Sequence, residues 1–252
     1  MLRERFNKFK QKINEKEKLK KNKSYSPFRI AIVGIDGSGK STIYKQVVKK
    51  YKKEYGKKIG NMKLLSYSNS NKLAQKTGKV LERIGKIPSK KTAFEDIKNT
   101  GYYLTFPFFK IMKEKGKKIV IFDRYPRIDL ELFKEIYKNK KRTKIFYPLL
   151  KTFSGTAYPN IVVVTRRKPE EAIKEILKRE KRDKHENLED LKKMDKALDD
   201  EINKLKKRGI KVIEVDIDKM ISKYGKGVDS SEKAAVSIKK RIDELIKKKE
   251  FK

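Results

Sequence analysis

The run Arg29–Thr42, RIAIVGIDGSGKST, constrains this chain more than any other stretch. Ile30, Ala31, Ile32 and Val33 form a short unbroken apolar block, the pattern of a strand buried on both faces of a parallel sheet. Glycines at 34, 37 and 39 then allow a turn whose backbone can approach closely whatever it encloses. After Lys40, the apolar residues Ile43, Val47, Val48 and Tyr51 recur at helical spacing, and Gly56 predicts the helix stop. Strand, glycine turn and helix are the setting in which G-x-x-x-x-G-K-[ST] has a physical meaning, and Gly34, Gly39, Lys40 and Ser41 supply that pattern, the P-loop. Backbone N–H groups of such a turn converge on phosphate oxygens, and the positive end of the following helix adds to the attraction. Gly34, Asp36, Gly37, Ser38, Gly39, Lys40, Ser41 and Thr42 are therefore the candidate nucleotide-binding residues, with ATP and Mg²⁺ as the expected cofactors. Lys40 is expected to reach the β- and γ-phosphates, and the Ser41 hydroxyl to ligate Mg²⁺.

A second apolar run, Ile119–Phe122, ends on an acid in IVIFDRYP. In a doubly wound sheet the carboxyl ends of the strands face the ligand crevice. Asp123 is thus a candidate second Mg²⁺ ligand or proton acceptor, and Arg124 a candidate phosphate grip. A plain ion pair at a strand end is the competing reading of the same two residues.

The rest of the chain alternates strand and helix. Met62–Tyr67, Ile161–Thr165 and Ile210–Val215 read as further strands, five in all with the two above. Thr92 and Glu95 fit a capping box opening a long helix toward Lys115, Pro169 opens another, and the apolar face from Leu188 to Leu205 predicts a third. Ser230–Lys249 closes the chain as a helix. The prediction is an α/β, three-layer P-loop NTPase fold: a five-stranded parallel sheet with helices on both faces, occupying 28–252. Residues 1–27 are expected to be a basic extension, with ten Lys and Arg against three Glu and with Leu2, Phe6, Phe9 and Ile13 on one helical stripe. Such a segment can lie on an anionic membrane, or be a solvated or packed end of the domain.

The net charge of +37 suits polyanions, but its lysines are spread along the whole chain, as on ordinary solvated faces. No aromatic-rich RNA motif or zinc pattern accompanies them, so a dedicated nucleic-acid module is not indicated. The chain has no cysteine, which suits a reducing cytoplasm. Its longest apolar stretch, near Tyr102–Phe109, falls far short of the ~20 residues that span a bilayer.

GIDGSGKST followed some way on by DRY resembles thymidylate kinase and its relatives among the nucleoside monophosphate kinases. The resemblance implies ATP-Mg²⁺ as donor and a nucleoside monophosphate (dTMP or a relative) as acceptor, in nucleotide biosynthesis. It implies that Asp36 lies near the acceptor sugar and that Asp123 and Arg124 lie between donor and acceptor. It also implies a lid at about 179–187 whose arginines, Arg179 and Arg182, stabilise the charge on the transferred phosphoryl group, and a homodimer as partner. Lys40, Asp123, Arg124, Arg179 and Arg182 are the candidate catalytic residues. His185, the sole histidine, reads as an exposed lid residue.

Departures from the family pattern open alternatives. Ser66–Ser70 stands where the family carries an arginine for the acceptor phosphate, and Tyr102 where another arginine is expected. Pro126-Arg127-Ile128-Asp129 replaces the residues that meet the base. Arg127 could replace one of these arginines, and Tyr102, Tyr103, Phe106 and Phe108 could line an acceptor pocket or belong to the core. A kinase of the same fold acting on a sugar, lipid or other metabolite at a membrane surface, and a non-kinase ATPase binding nucleic acid, remain open beside the leading reading.

Overall fold

Strand β1 (Phe28–Val33) lies at the middle of the molecule, and the sheet is built outward from it. The computed structural model describes residues 27–63, 114, 116–137, 147, 151, 158–180, 186–225 and 227–250. The described elements run β1, α1 (Lys40–Tyr55), a 3₁₀ turn (Gly56–Lys58), β2 (Ile59–Lys63), β3 (Ile119–Asp123), α2 (Pro126–Tyr137), β4 (Ile161–Arg166), α3 (Pro169–Leu177), α4 (Leu188–Lys207), β5 (Lys211–Asp216), α5 (Ile217–Tyr224) and α6 (Val228–Glu250). The five strands are all parallel, in the order β2-β3-β1-β4-β5. The predicted architecture is therefore the observed one.

Period-two alternation in β1 divides the core. Ala31 and Val33 face a cluster with Phe122, Val164, Ile176, Met194 and Leu198, roofed by α2, α3 and α4. Ile30 and Ile32 face the other cluster, with Val47, Tyr51, Ile238 and Ile242, roofed by α1 and α6. Both faces of β1 are dry, which is why its sequence is a continuous apolar block rather than an alternating one.

Local signals account for several boundaries. Helix α1 stops at Gly56, whose φ of 55° is easiest without a Cβ. Helix α4 is capped by Asn187, whose side chain accepts from Asp190 N at 2.9 Å, and α5 by Asp216, which accepts from Lys219 N at 3.0 Å. The second strand differs from the expectation. It starts at Ile59, three residues before Met62, because Ile59 buries its side chain as soon as the 3₁₀ turn ends. Helices α2 and α5 were not anticipated, and α6 begins two residues before Ser230. Most of the extension (1–26), the helix expected from Thr92, and Tyr102, Tyr103, Phe106 and Phe108 lie outside the described residues.

Helix α4 buries Leu198 completely against the sheet. Leu198→Ala is expected to cost about 2–5 kcal/mol, the range for a leucine removed from a packed core. Urea unfolding measures it, and a loss below about 1 kcal/mol would mean that this face of α4 is not packed as described.

Candidate functional site

Pairing of β1 with β3 and β4 puts Asp123 opposite Ile32, and Val164 opposite Val33. The P-loop, Asp123 and Thr165 therefore meet at one end of the sheet. The loop after β1 turns through Gly37 (φ 79°) and Gly39 (φ 76°) into α1. A Cβ on Gly34 would stand 2.2 Å from Thr165 Oγ1 and 2.7 Å from the Thr165 carbonyl oxygen, and one on Gly37 would stand 2.3 Å from the Ala172 carbonyl oxygen. Both contacts exclude any side chain, so these glycines let the loop lie directly on β4 and α3. Thr165 Oγ1 donates to the Val33 carbonyl at 3.2 Å, which leaves the Ser38 hydroxyl, 2.8 Å away, to donate to Thr165.

Inside the loop the charges are paired. Lys40 Nζ donates to Asp36 Oδ1 at 2.7 Å and to the Ile35 carbonyl at 3.1 Å. Asp36 also pairs with Arg124. Arg124 is the sole non-glycine residue with positive φ (71°) among the described residues, and its N–H donates to the Ile32 carbonyl at 2.8 Å. That left-handed turn, worth roughly 1–3 kcal/mol of strain, swings the guanidinium back over the P-loop. Ser41 Oγ lies 3.4 Å from Asp123 Oδ2. Burial lowers the Lys40 pKa, with repulsion from Arg124 adding to it, while Asp36 opposes both.

Two contributors were not foreseen. Asp129, in the first turn of α2, is 1% exposed and 3.7 Å from Arg124 Nη1. Its Oδ2 has no hydrogen-bond partner among the described residues. Burial pushes its pKa up to about 6, against the pull of Arg124 and Lys40. An acid between Ile128 and Leu130 on a helix that must cover the sheet was the signal available in sequence. The second is Arg167, whose side chain is buried. It donates to the Gly37 carbonyl at 3.2 Å and to Asp218 at 3.1 Å, tying the P-loop to α5.

Beside the loop is a cleft of about 290 Å³, walled by Gly37, Gly39 and Thr42, by Arg167 and Arg179, and by Ile217, Met220 and Ser231. Arg179 lines it while pairing with Glu186 at 2.7 Å. Arg182 and His185 lie outside the described residues. Arg127 has its guanidinium 4.3 Å from the Tyr158 ring centroid.

The residues present fit a magnesium nucleotide. A cradle in which two glycines cannot carry a Cβ adjoins a hydroxyl and a carboxylate close enough to share a cation. Among the described residues no three His, Cys, Asp or Glu groups form a metal cage. Magnesium is commonly held by one or two protein groups together with substrate phosphates, which is what Ser41 and Asp123 offer.

The family profile of the NB-ARC domain matches residues 7–148. No curated protein sequence matches the chain. Many solved structures are similar, two of them as follows. One is deoxyadenosine kinase from M. mycoides, with dCMP and a flexible dCDP bound, at 20% identity and a TM-score of 0.57, covering 86% of this chain and 99% of that one. The other is thymidylate kinase from Candida albicans, at 16% identity and a TM-score of 0.53, covering 87% of this chain and 92% of that one. At these identities the likeness establishes a shared fold.

Asp129 yields a test of the charge cluster. A carboxyl whose pKa rises from 3.8 to about 6 on folding binds its proton more tightly in the native state. Its contribution to stability is thus full below about pH 4 and is lost as pH climbs through 6. Asp129→Asn is expected to flatten the stability profile there, removing a fall of about 2–3 kcal/mol between pH 4 and 7. Parallel urea curves for the two proteins measure it, and identical pH slopes would count against the buried, raised carboxyl.

Proposed function

The chain belongs to the NB-ARC domain family of P-loop proteins, and on that footing we propose that it is an ATP-dependent phosphotransferase acting on a nucleoside monophosphate, thymidylate or a relative. The observation that carries this reading is the placement of Asp123 and Arg124 beside Lys40, at the strand ends where the P-loop turns. Phosphoryl transfer needs positive charge where negative charge gathers on the moving group, and Arg124 is a guanidinium held over the loop.

In this reading the N–H groups of residues 37–42 hold the triphosphate, and Ser41 with Asp123 would hold Mg²⁺. The metal would supply charge neutralisation to the triphosphate. Lys40 leaves Asp36 for the phosphates. Arg124, held by Asp36 and by Asp129, bridges to the acceptor. The acceptor oxygen then bonds the γ-phosphorus as the bridge to the β-phosphate breaks. Arg179 reaches the same charge from the cleft wall, with Arg182 proposed beside it. The nucleotide base occupies the cleft between Arg167 and Met220.

One observation favours a second acceptor class. Asp36, Asp123 and Asp129 gather around Arg124 and Lys40, which makes this side of the crevice less welcoming to a phosphate than to a neutral hydroxyl. A nucleoside accepting phosphate on its hydroxyl, as the name of the M. mycoides enzyme indicates for that protein, fits this charge balance. The NB-ARC match also keeps a nucleotide-dependent switch as an alternative.

Asp123→Asn is expected to lower turnover by about a hundredfold or more while leaving thermal unfolding unchanged. ADP release in a coupled assay reads it, and full activity would remove Asp123 from the reaction. An acceptor screen with ATP-Mg²⁺ separates the readings. ADP formation that requires a nucleoside monophosphate supports the first. A requirement for a nucleoside moves the function to the second, and ADP formation with no acceptor points to the switch.

A further inference from the structure

Helix α1 buries two tyrosine rings against the sheet, and their hydroxyls have different fates. Tyr51 is fully enclosed, and its hydroxyl donates to Asp243 on α6 at 2.7 Å. Tyr44, about two turns earlier, is 3% exposed, and its hydroxyl has no hydrogen-bond partner among the described residues. A buried hydroxyl in that state has given up its bonds to water and gained none in exchange, a loss that native folds avoid. Phenylalanine would fill the same space without it. Both tyrosines pack in one apolar cluster with Ile32, Ile121 and Ile238. Packing therefore accounts for the ring of Tyr44 and leaves its oxygen unexplained.

The place of that oxygen is set by the helix. Tyr44 follows Ser41 by three residues on α1, and residues three apart are neighbours on one helix face. Long side chains on a helix lean toward its N-terminus, which here is the P-loop end. Ser41 Oγ lies 3.4 Å from Asp123 Oδ2, so this stripe of α1 faces the end of β3. Burial pushes the Tyr44 pKa up to about 12, and the Asp123 charge adds to it against the pull of Asn61. Asn61, exposed on β2, influences the hydroxyl without reaching hydrogen-bond geometry. The hydroxyl thus stands in the field of Asp123 and short of a bond to it.

We propose that Tyr44 is a positioning residue for Mg²⁺, its hydroxyl accepting a hydrogen bond from a water of the metal's shell beside Ser41 and Asp123. Magnesium dehydrates reluctantly and keeps several waters where one or two protein groups reach it. Groups that hold such outer contacts orient a metal site nearly as much as its direct ligands do. Ser41 and Asp123 are the direct candidates. Tyr44 adds a neutral oxygen one turn further along the same helix, in a dry surround where a hydrogen bond is stronger than in water. A water held there satisfies the hydroxyl that the fold leaves without a partner. The inference rests on the reading of Ser41 and Asp123 as the magnesium site, and not on which acceptor the crevice serves.

The test compares Tyr44→Phe with the unmodified full chain, using a fluorescent ATP analogue that cannot be hydrolysed. Its dissociation constant is measured in EDTA and in saturating Mg²⁺, and the ratio gives the affinity gained from the metal. Tyr44→Phe is expected to cut that gain about tenfold, as loss of an outer contact does at metal sites. It is expected to leave the value in EDTA unchanged and to melt no lower than the unmodified chain without ligand, since no bond within the fold is lost. Tyr51→Phe provides the contrast. Losing the bond to Asp243 is expected to lower its melting temperature by about 2–4 °C and to leave the gain from Mg²⁺ unchanged.

An undiminished gain in Tyr44→Phe would overturn the proposal. So would an equal loss of affinity in EDTA, which assigns the hydroxyl to the nucleotide. A melting temperature lowered by about 2 °C or more in Tyr44→Phe would also overturn it, because the hydroxyl would then be part of the fold. If the unmodified chain binds the analogue equally well with and without Mg²⁺, the metal site itself fails, and the inference with it.

Discussion

Parallel pairing of β1 with β3 on one side and β4 on the other is the constraint from which the site follows. The register sets Ile32 against Asp123 and Val33 against Val164. All three chains therefore leave the sheet at one level, and their turns must share the space above it. Gly34 solves the crowding by lying against Thr165, and Gly37 by lying against Ala172, where neither position has room for a Cβ. Moving one strand by a single residue would swap the side chains it sends into the two cores and separate the hydroxyl of Ser41 from the carboxylate of Asp123.

Around that scaffold the charges form a network of partial exchanges. Lys40 is held by Asp36 and the Ile35 carbonyl, Arg124 by Asp36 and Asp129. Buried charges are tolerable because each has an opposite neighbour, and removing any one partner leaves another uncompensated. Lys40 and Arg124 share Asp36, so drawing Lys40 away would leave that carboxylate more fully to Arg124. Arg167 adds a mechanical link, since its contacts with Gly37 and Asp218 join the loop to α5.

Much of this was legible in the sequence where local chemistry speaks for itself. An apolar block, glycines at fixed offsets and a basic residue before a hydroxyl name a strand, a turn and a phosphate cradle without help from the fold. Asp123 was legible because an acid that ends a buried strand has few structural reasons to be there. Asp129 and Arg167 were not. Asp129 lies in a helix of ordinary pattern and Arg167 in the short connection after β4, and the meaning of each comes from what stands across from it. Helix α5 was missed for a related reason: Ile217–Tyr224 is short and follows a strand without a break, so no separate periodicity announced it.

The charge shows the same division. The sequence by itself determined that the chain is strongly basic, that a phosphate-binding turn lies between a buried strand and a helix, and that five such strands alternate with helices. These follow from side-chain chemistry and from spacing along the chain. Tertiary structure decided which acids neutralise which lysines, because pairing depends on faces brought together across the sheet. It also decided that Asp36, Lys40, Arg124 and Asp129 form one cluster, since their contacts span strands distant in sequence, and that Lys57, Lys58, Lys117 and Lys118 stand together at the opposite end, where the strands begin.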